Sequence, residues 1–354
     1  MSITRVAKIA GVSSSTVSRV INNHPKVAPH TLDAVRKAMK SIGYTPSDRR
    51  PGPKPAQRAL ARATNIAFFV LGTGARRATP AFESLLRGVS MAADQHGLNL
   101  VFNQISDPEQ LTERVLGGKM DGVLLHGALP TQEPFEQIRR IPTVWLMGNR
   151  RRPKWGDQVM PNHYEVGYLA AKYLLGRGHK NLASFNLDGG HWGLALYGHA
   201  FRSTVRIDGG QAHALEMNRE LTSGYWQEYS PHSVEAFVQR YLRINPRPTG
   251  LFVADDMQVA MIQPALQRAG VEIGPGRVEV VSCNNEQPYL VGLSPKPTEI
   301  DIHAESIGRR GVDHLLWRIA HAQTEERTTT IIEPFLVDGL GVRLQEHHVD
   351  HARV

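Results

Sequence analysis

From residue 65 onward, apolar and polar positions along the chain alternate between two periods. Short runs that are apolar almost throughout occur at 65–72, 98–105, 121–127 and 142–148. Between them lie stretches in which apolar residues return every three or four positions, at 82–96, 108–117 and 135–140. The first pattern predicts strands covered on both faces, and the second predicts helices with one apolar stripe. After a polar insertion at 150–156 the same alternation resumes. It predicts helices at 164–176, 196–205, 234–245 and 257–269, and strands at 181–186, 212–217, 250–254 and 278–283. Strand–helix alternation of this kind predicts parallel sheets with helices on both faces, here as two doubly wound α/β lobes in series.

The first 44 residues show only the helical period. Val6, Ile9 and Ala10 form one short stripe, and Gly11 provides a tight turn. Ser13 is placed as a helix N-cap, its hydroxyl accepting from the backbone two or three residues on. In the helix that follows, Val17, Val20 and Ile21 share one face. Ser15, Ser18 and Arg19 share the opposite face, with Ser14 at its edge. Pro29 starts a third helix, whose stripe is Leu32, Val35, Met39 and Ile42, and Gly43 closes it. Three helices around one small core predict an all-α helix-turn-helix headpiece whose second helix enters a DNA major groove. A linker follows at 47–62. Pro51, Pro53 and Pro55 impose an extended path on it, and Arg49, Arg50, Lys54, Arg58 and Arg62 charge it.

Charge sharpens this picture. Net charge is +8, yet residues 1–63 hold 12 Lys and Arg against 2 Asp and Glu. The rest of the chain is therefore slightly acidic. Positive charge confined to a helix-turn-helix and its tail implies phosphate contact. The single cysteine, Cys283, is consistent with a reducing compartment. The N-terminus has no apolar signal core, and no apolar run approaches the ~20 residues needed to cross a bilayer. A cytoplasmic protein with no membrane partner is expected.

The segments ITRVAKIAGVSSSTVSRVINN and SIGYTP closely resemble the headpiece of the LacI family of bacterial transcription repressors. The resemblance places Ser14, Ser15 and Arg19 at base-reading positions. It places Ser13, Thr16, Ser18 and Asn22 at phosphate-contacting or helix-fixing positions. It implies a homodimer on double-stranded operator DNA, with a short hinge helix in the linker. Here only 56–63 can form that helix, with Leu60 as the minor-groove wedge. Two alternatives stay open. The basic residues Arg49, Arg50 and Lys54 track the groove themselves, or the segment is a solvated spacer. The two lobes resemble the family's sugar-binding core, with crossover and closing elements at 295–302, 306–322 and 331–337. The expected organisation is headpiece 1–46, linker 47–63, effector-binding and dimerisation core 64–345, and tail 346–354.

Matched positions in the cleft between lobes imply effector contacts from Phe82, Asn162, Tyr197, Asp255, Asp256 and Asn284. Tyr197 stands where the family commonly has an arginine. Asn162 and Asn284 stand where it has aspartates, so an arginine–carboxylate grip is not expected there. Trp192, read as lying in a loop after a strand, is either a stacking platform or a buried core residue. Together these side chains suit a neutral polyol, and a sugar is the expected effector. The adjacent Asp255 and Asp256 predict a helix cap plus one ligand contact rather than paired acid/base catalysis. No catalytic motif, phosphate-cradling loop or Cys-x-x-Cys occurs, and neither a cofactor nor a metal is expected. The His-rich segment 346–351 reads as a solvated tail. The competing function is a two-lobed enzyme or metabolite carrier that binds nucleic acid only loosely.

Overall fold

The computed structural model describes residues 3–21, 24, 27–44, 65–72, 79–107, 110–117, 120–127, 136–147, 155–217, 231–339 and 342–344. The chain divides into two compact units, Met1–Lys54 and Pro55–Val354.

The first unit holds α1 (Ile3–Ala10), α2 (Ser14–Ile21) and α3 (Pro29–Ser41). Val6, Ala7, Val17, Val20, Val35 and Ala38 form its buried core. The buried face of α1 is Val6 and Ala7 with Ile3 and Ala10 against them, whereas Ile9 is 50% exposed. The expected Val6–Ile9–Ala10 stripe is therefore rotated by about one residue. The two turns work as expected, with left-handed backbone at Gly11 (φ 67°) and Gly43 (φ 59°).

In the second unit one sheet is ordered β11-β5-β4-β3-β1-β2 and the other β12-β10-β9-β8-β6-β7. The first sheet is built from β1 (Asn65–Leu71), β2 (Asn99–Ile105), β3 (Gly122–Gly127), β4 (Thr143–Leu146), β5 (Asp157–Pro161) and β11 (Thr329–Ile332). The second comprises β6 (Asn181–Asn186), β7 (Gln211–Glu216), β8 (Gly250–Val253), β9 (Glu279–Cys283), β10 (Thr298–Asp301) and β12 (Phe335–Val337). All pairings are parallel except β10 with β12. The helices are α4 (Pro80–Gln95), α5 (Leu111–Leu116), α6 (Glu136–Arg139), α7 (His163–Gly176), α8 (Trp192–Ile207), α9 (Pro231–Leu242), α10 (Asp256–Arg268), α11 (Gln287–Leu290) and α12 (Ala304–Ala320).

The chain passes between the lobes three times. β5 of the first sheet leads into α7, whose Val166, Ala170 and Leu174 are in the core of the second lobe. β10 returns through α12, whose Ile307, Val312 and Leu315 pack in the first. β11 then leads across Glu333 and Pro334 to β12 in the other sheet. The stretch 331–337 is thus two strands in different sheets.

Three further expectations change. β5 escaped the hydrophobic pattern because it opens with two buried polar residues, Asp157 and Gln158. Asp157 accepts two hydrogen bonds from Arg318 at 2.7 Å, and its Oδ2 lies 2.9 Å from His314 Nε2. Burial works to raise the Asp157 carboxyl, but His314, Arg318 and the Thr328 N–H outweigh it and hold the group well below its ordinary value. β2, expected to be covered on both faces, is an edge strand with Val101 and Phe102 about two-fifths exposed. α8 starts at Trp192 rather than 196, so Trp192 is the first residue of a helix and not a loop residue.

Candidate functional site

In the headpiece, Ser13 Oγ accepts from Thr16 N at 3.2 Å and lies 2.7 Å from Ser15 Oγ and 2.9 Å from Thr16 Oγ1. This cap starts α2 one turn before Val17 and Val20, which are buried, so the winding leaves Ser14, Ser15 and Arg19 exposed. Thr16 and Ser18 are half-buried at the flanks. Asn22, Arg49, Arg50, Lys54 and Leu60 lie outside the described residues. The result is one small surface with two hydroxyls and a guanidinium, held by a fixed helix start.

The second candidate site is where the two lobes meet, beyond the carboxyl ends of their strands. From the first lobe, Phe82 packs against Phe68 (ring centroids 6.1 Å) and stacks on His126 at 5.7 Å. Met147, just after β4 and with left-handed backbone (φ 65°), packs against the cores of both lobes. From the second lobe, His163 heads α7 with its ring 5.4 Å from Trp192 and 5.2 Å from Tyr197. Tyr197 is buried and hydrogen-bonds with Cys283, within the field of Asp255. Trp192, Tyr197 and Asp255 thus belong to one contiguous group, joined by His163 and Cys283. Nothing in the residue pattern singles out His163, since a lone histidine at a helix start has no distinguishing spacing.

Asn162, Asp255, Asp256 and Asn284 each also bond within the protein itself. Asn162 caps α7 by accepting from Glu165 N at 3.2 Å, and its amide donates to both Glu333 oxygens at 3.0 and 3.1 Å. It therefore ties the first crossover to the third. Asp255 caps α10, accepting from Gln258 N at 2.8 Å and Gln258 Nε2 at 2.6 Å. Asp256 is fully buried, accepting from Ser282 Oγ and, at 2.6 Å, from Glu286 N. Asn284 (φ 104°) donates to Glu286 Oε2 at 3.3 Å. Glu286 in turn reaches the other lobe, where its Oε1 accepts from Ala81 N at 2.9 Å. Beside this contact an open cleft of ≈ 490 Å³ is lined by Ser84 and Arg87 of α4, Asn285, Gln287 and Asp301 of the second lobe, and His303 of the crossover.

Burial dominates the electrostatics. It pushes Asp255 up to about 7 against the N–H of Gln258, with Glu286 and Asp188 adding to the rise. It also raises Asp256, Glu286, Tyr197 and Cys283, and it depresses His163 to about 4. At neutral pH the group therefore offers a neutral imidazole, a phenol, an indole and a carboxyl close to half-protonated. Such a set hydrogen-bonds and stacks rather than catalyses. Among the described residues no three His, Cys, Asp or Glu are placed to hold a metal ion. Nor is any helix among them long and apolar enough to cross a membrane.

Comparison with known proteins accords with both units. Residues 2–47 match the family "Bacterial regulatory proteins, lacI family", and residues 171–340 match "Periplasmic binding protein-like domain". The HTH-type transcriptional repressor PurR of Edwardsiella ictaluri (strain 93-146) is 28% identical over 350 residues, covering 94% of each chain. Among solved structures, the transcriptional regulator CelR–cellobiose complex superposes with TM-score 0.62 at 23% identity, covering 97% of this chain and 99% of that one. The lac repressor dimer bound to operator and the anti-inducer ONPF does so with TM-score 0.60 at 20% identity, covering 96% and 98%. These relatives are regulators and not enzymes, so the competing enzyme reading falls away. The chain thus carries a lacI-family helix-turn-helix headpiece followed by a periplasmic-binding-protein-like domain, and is a DNA-binding transcriptional repressor of LacI/PurR type.

Proposed function

We propose that this repressor is a cytoplasmic homodimer whose operator affinity is set by an uncharged small molecule, a sugar, bound between the core lobes. The observation that carries the DNA half is the exposed face of α2, with Ser14, Ser15 and Arg19 outward and Val17 and Val20 buried behind them. Arg19 is the long charged side chain of that face and is assigned to a guanine. Ser14 and Ser15 read neighbouring bases, and Ser13, Thr16, Ser18 and Asn22 fix the helix and meet phosphates. Two headpieces then occupy successive half-sites of a near-palindromic operator. Exposed Met91, Val101 and Phe102 around the edge strand β2 support a partner subunit there.

The effector half rests on the group of Trp192, Tyr197, Asp255 and His163. Its aromatic faces and neutral donors suit hydroxyls, and the related CelR structure holds cellobiose. Effector binding changes the relation between the lobes and so shifts DNA affinity. The headpiece (1–46), linker (47–63) and core (64–345) divide this labour. The test is anisotropy of labelled operator and scrambled duplexes over a salt series. A bidentate arginine–guanine contact contributes about 1–3 kcal/mol of discrimination, so Arg19→Ala abolishes operator preference while weak, salt-sensitive binding persists. Retained preference in that variant refutes the docking of α2.

A further inference from the structure

Buried polar atoms in folded proteins nearly always have partners. His163 breaks this rule at both ring nitrogens. It is 4% exposed, and neither Nδ1 nor Nε2 has a hydrogen-bond partner. Its place is specific. Pro161 and Asn162 bring the chain across from the first lobe, and His163 is the next residue, at the start of α7. Trp192 meets its ring edge-on (interplanar angle 89°), and Tyr197 is tilted against it at 55°. Gly193 lets the backbone approach the ring edge closely; a Cβ there would come within 3.1 Å of Cε1 and 3.4 Å of Nε2. A second unpartnered donor, Asn186 Nδ2, ends β6, the strand that leads to α8 and its first residue Trp192. His163 follows the carboxyl end of β5 in the first sheet and Asn186 ends β6 in the second, and ligands of such folds bind beyond the carboxyl ends of strands.

We infer that His163 is a specificity residue of the interlobe cleft, and that its imidazole takes an uncharged ligand presenting a hydrogen-bond donor beside an acceptor. The inference rests on reading that cleft as the effector site, and goes beyond it by naming the residue and the ligand chemistry. A neutral imidazole has one N–H donor and one bare nitrogen acceptor, so the complementary ligand both donates and accepts. Sugar hydroxyls do this, and so does the edge of a heteroaromatic base. An anionic ligand such as a sugar phosphate finds no cation in this group. Burial holds the imidazole neutral; Tyr197 lies against its ring, and His191 approaches the same Gly193 position, its Cε1 3.2 Å from where a Cβ would stand. Without ligand, the two unpartnered atoms are a standing cost to stability.

The full-length chain tests this by two measurements. In thermal unfolding without added ligand, His163→Phe raises Tm by roughly 2–4 °C, because two unpartnered polar atoms disappear while the ring stays. A lower Tm in this variant, with His163→Gln at or above wild type, shows strain from ring size alone, and the calorimetry then decides. A lower Tm in both variants means the imidazole is held by the protein, which overturns the inference. In calorimetry, D-ribose, cellobiose, hypoxanthine and glucose 6-phosphate are titrated into wild type, His163→Phe, His163→Gln and Tyr197→Ala. The expected result is binding of an uncharged probe that weakens at least tenfold in His163→Phe and recovers in part in His163→Gln. Ribose or cellobiose against hypoxanthine tells a sugar from a base. Tight binding of glucose 6-phosphate overturns the assigned chemistry. A probe weakened by Tyr197→Ala but unaffected by His163→Phe overturns the role of His163 and leaves the cleft reading standing. Equal binding to every variant refutes the cleft reading instead. If no probe binds wild type, the Tm comparison decides alone, and a Tm below wild type in both His163 variants or in His163→Phe counts against the inference.

Discussion

Replacing Glu286 with Ala should loosen the two lobes from each other. Its carboxylate accepts from Ala81 N, the second residue of α4 in the opposite lobe, at 2.9 Å, and also bonds with Thr79. Its own N–H is anchored to Asp256 at 2.6 Å, and Asn284 donates to its second oxygen at 3.3 Å. A carboxyl so placed satisfies one of the otherwise unpaired donors at a helix start and lies in the favourable field of that end. Removing the acceptor of a buried backbone donor costs about 1–3 kcal/mol. Burial already raises the Glu286 carboxyl, so relief from desolvation offsets part of this. A net loss of about 1.4 kcal/mol is a tenfold change in the equilibrium between joined and parted lobes. Fluorophores placed on α5 and α9, one per lobe, report the joined fraction by single-molecule energy transfer. Glu286→Gln, which keeps an acceptor oxygen, should fall between wild type and Glu286→Ala. Identical transfer distributions for all three proteins would show that this contact does not hold the lobes.

Gly88→Ala should lower Tm markedly, because its Cβ would fall on the carbonyl oxygen of Glu305 in α12, while Gly308 approaches α4 as closely from the other side; overpacking of this kind costs about 1–3 kcal/mol, and an unchanged Tm would mean the helices can part freely. Asp255 has an ordinary value of 3.8 and stands near 7 when folded, so its contribution to stability is full below about pH 4 and is lost as pH rises through 7. Asp255→Asn should therefore gain on wild type as pH rises from about 4 to 7 and keep a level advantage above that; parallel Tm curves across pH 4 to 7 would contradict this. In the linker, Leu60→Ala should reduce operator affinity and DNA bending if 56–63 forms a wedge. If Arg49, Arg50 and Lys54 make the contact instead, Leu60→Ala is silent and neutralising all three flattens the salt dependence by up to roughly three phosphate equivalents.

Much of this architecture was legible in residue order because it depends on local periodicity. Three-four spacing of Val17, Val20 and Ile21 settles which face of α2 is buried, and hence that Ser14, Ser15 and Arg19 face solvent. Apolar runs such as 65–72 and 250–254 mark strands covered on both sides wherever they fall in a sheet. What periodicity cannot carry is any feature whose reason lies on another segment. β5 opens with buried Asp157 and Gln158, tolerable only because Arg318 and His314 arrive 161 and 157 residues later to bond Asp157. Gly88 and Gly308 look like ordinary helix glycines until α4 and α12 meet at them. Asn162, at a position matched to an effector contact, spends its amide on Glu333 because the first and third crossovers lie side by side. His163 has no pattern of its own. Only the packing of Trp192, Gly193 and Tyr197 around it leaves its two nitrogens buried without partners, since burial and hydrogen-bond satisfaction are properties of the surrounding fold and not of the residue.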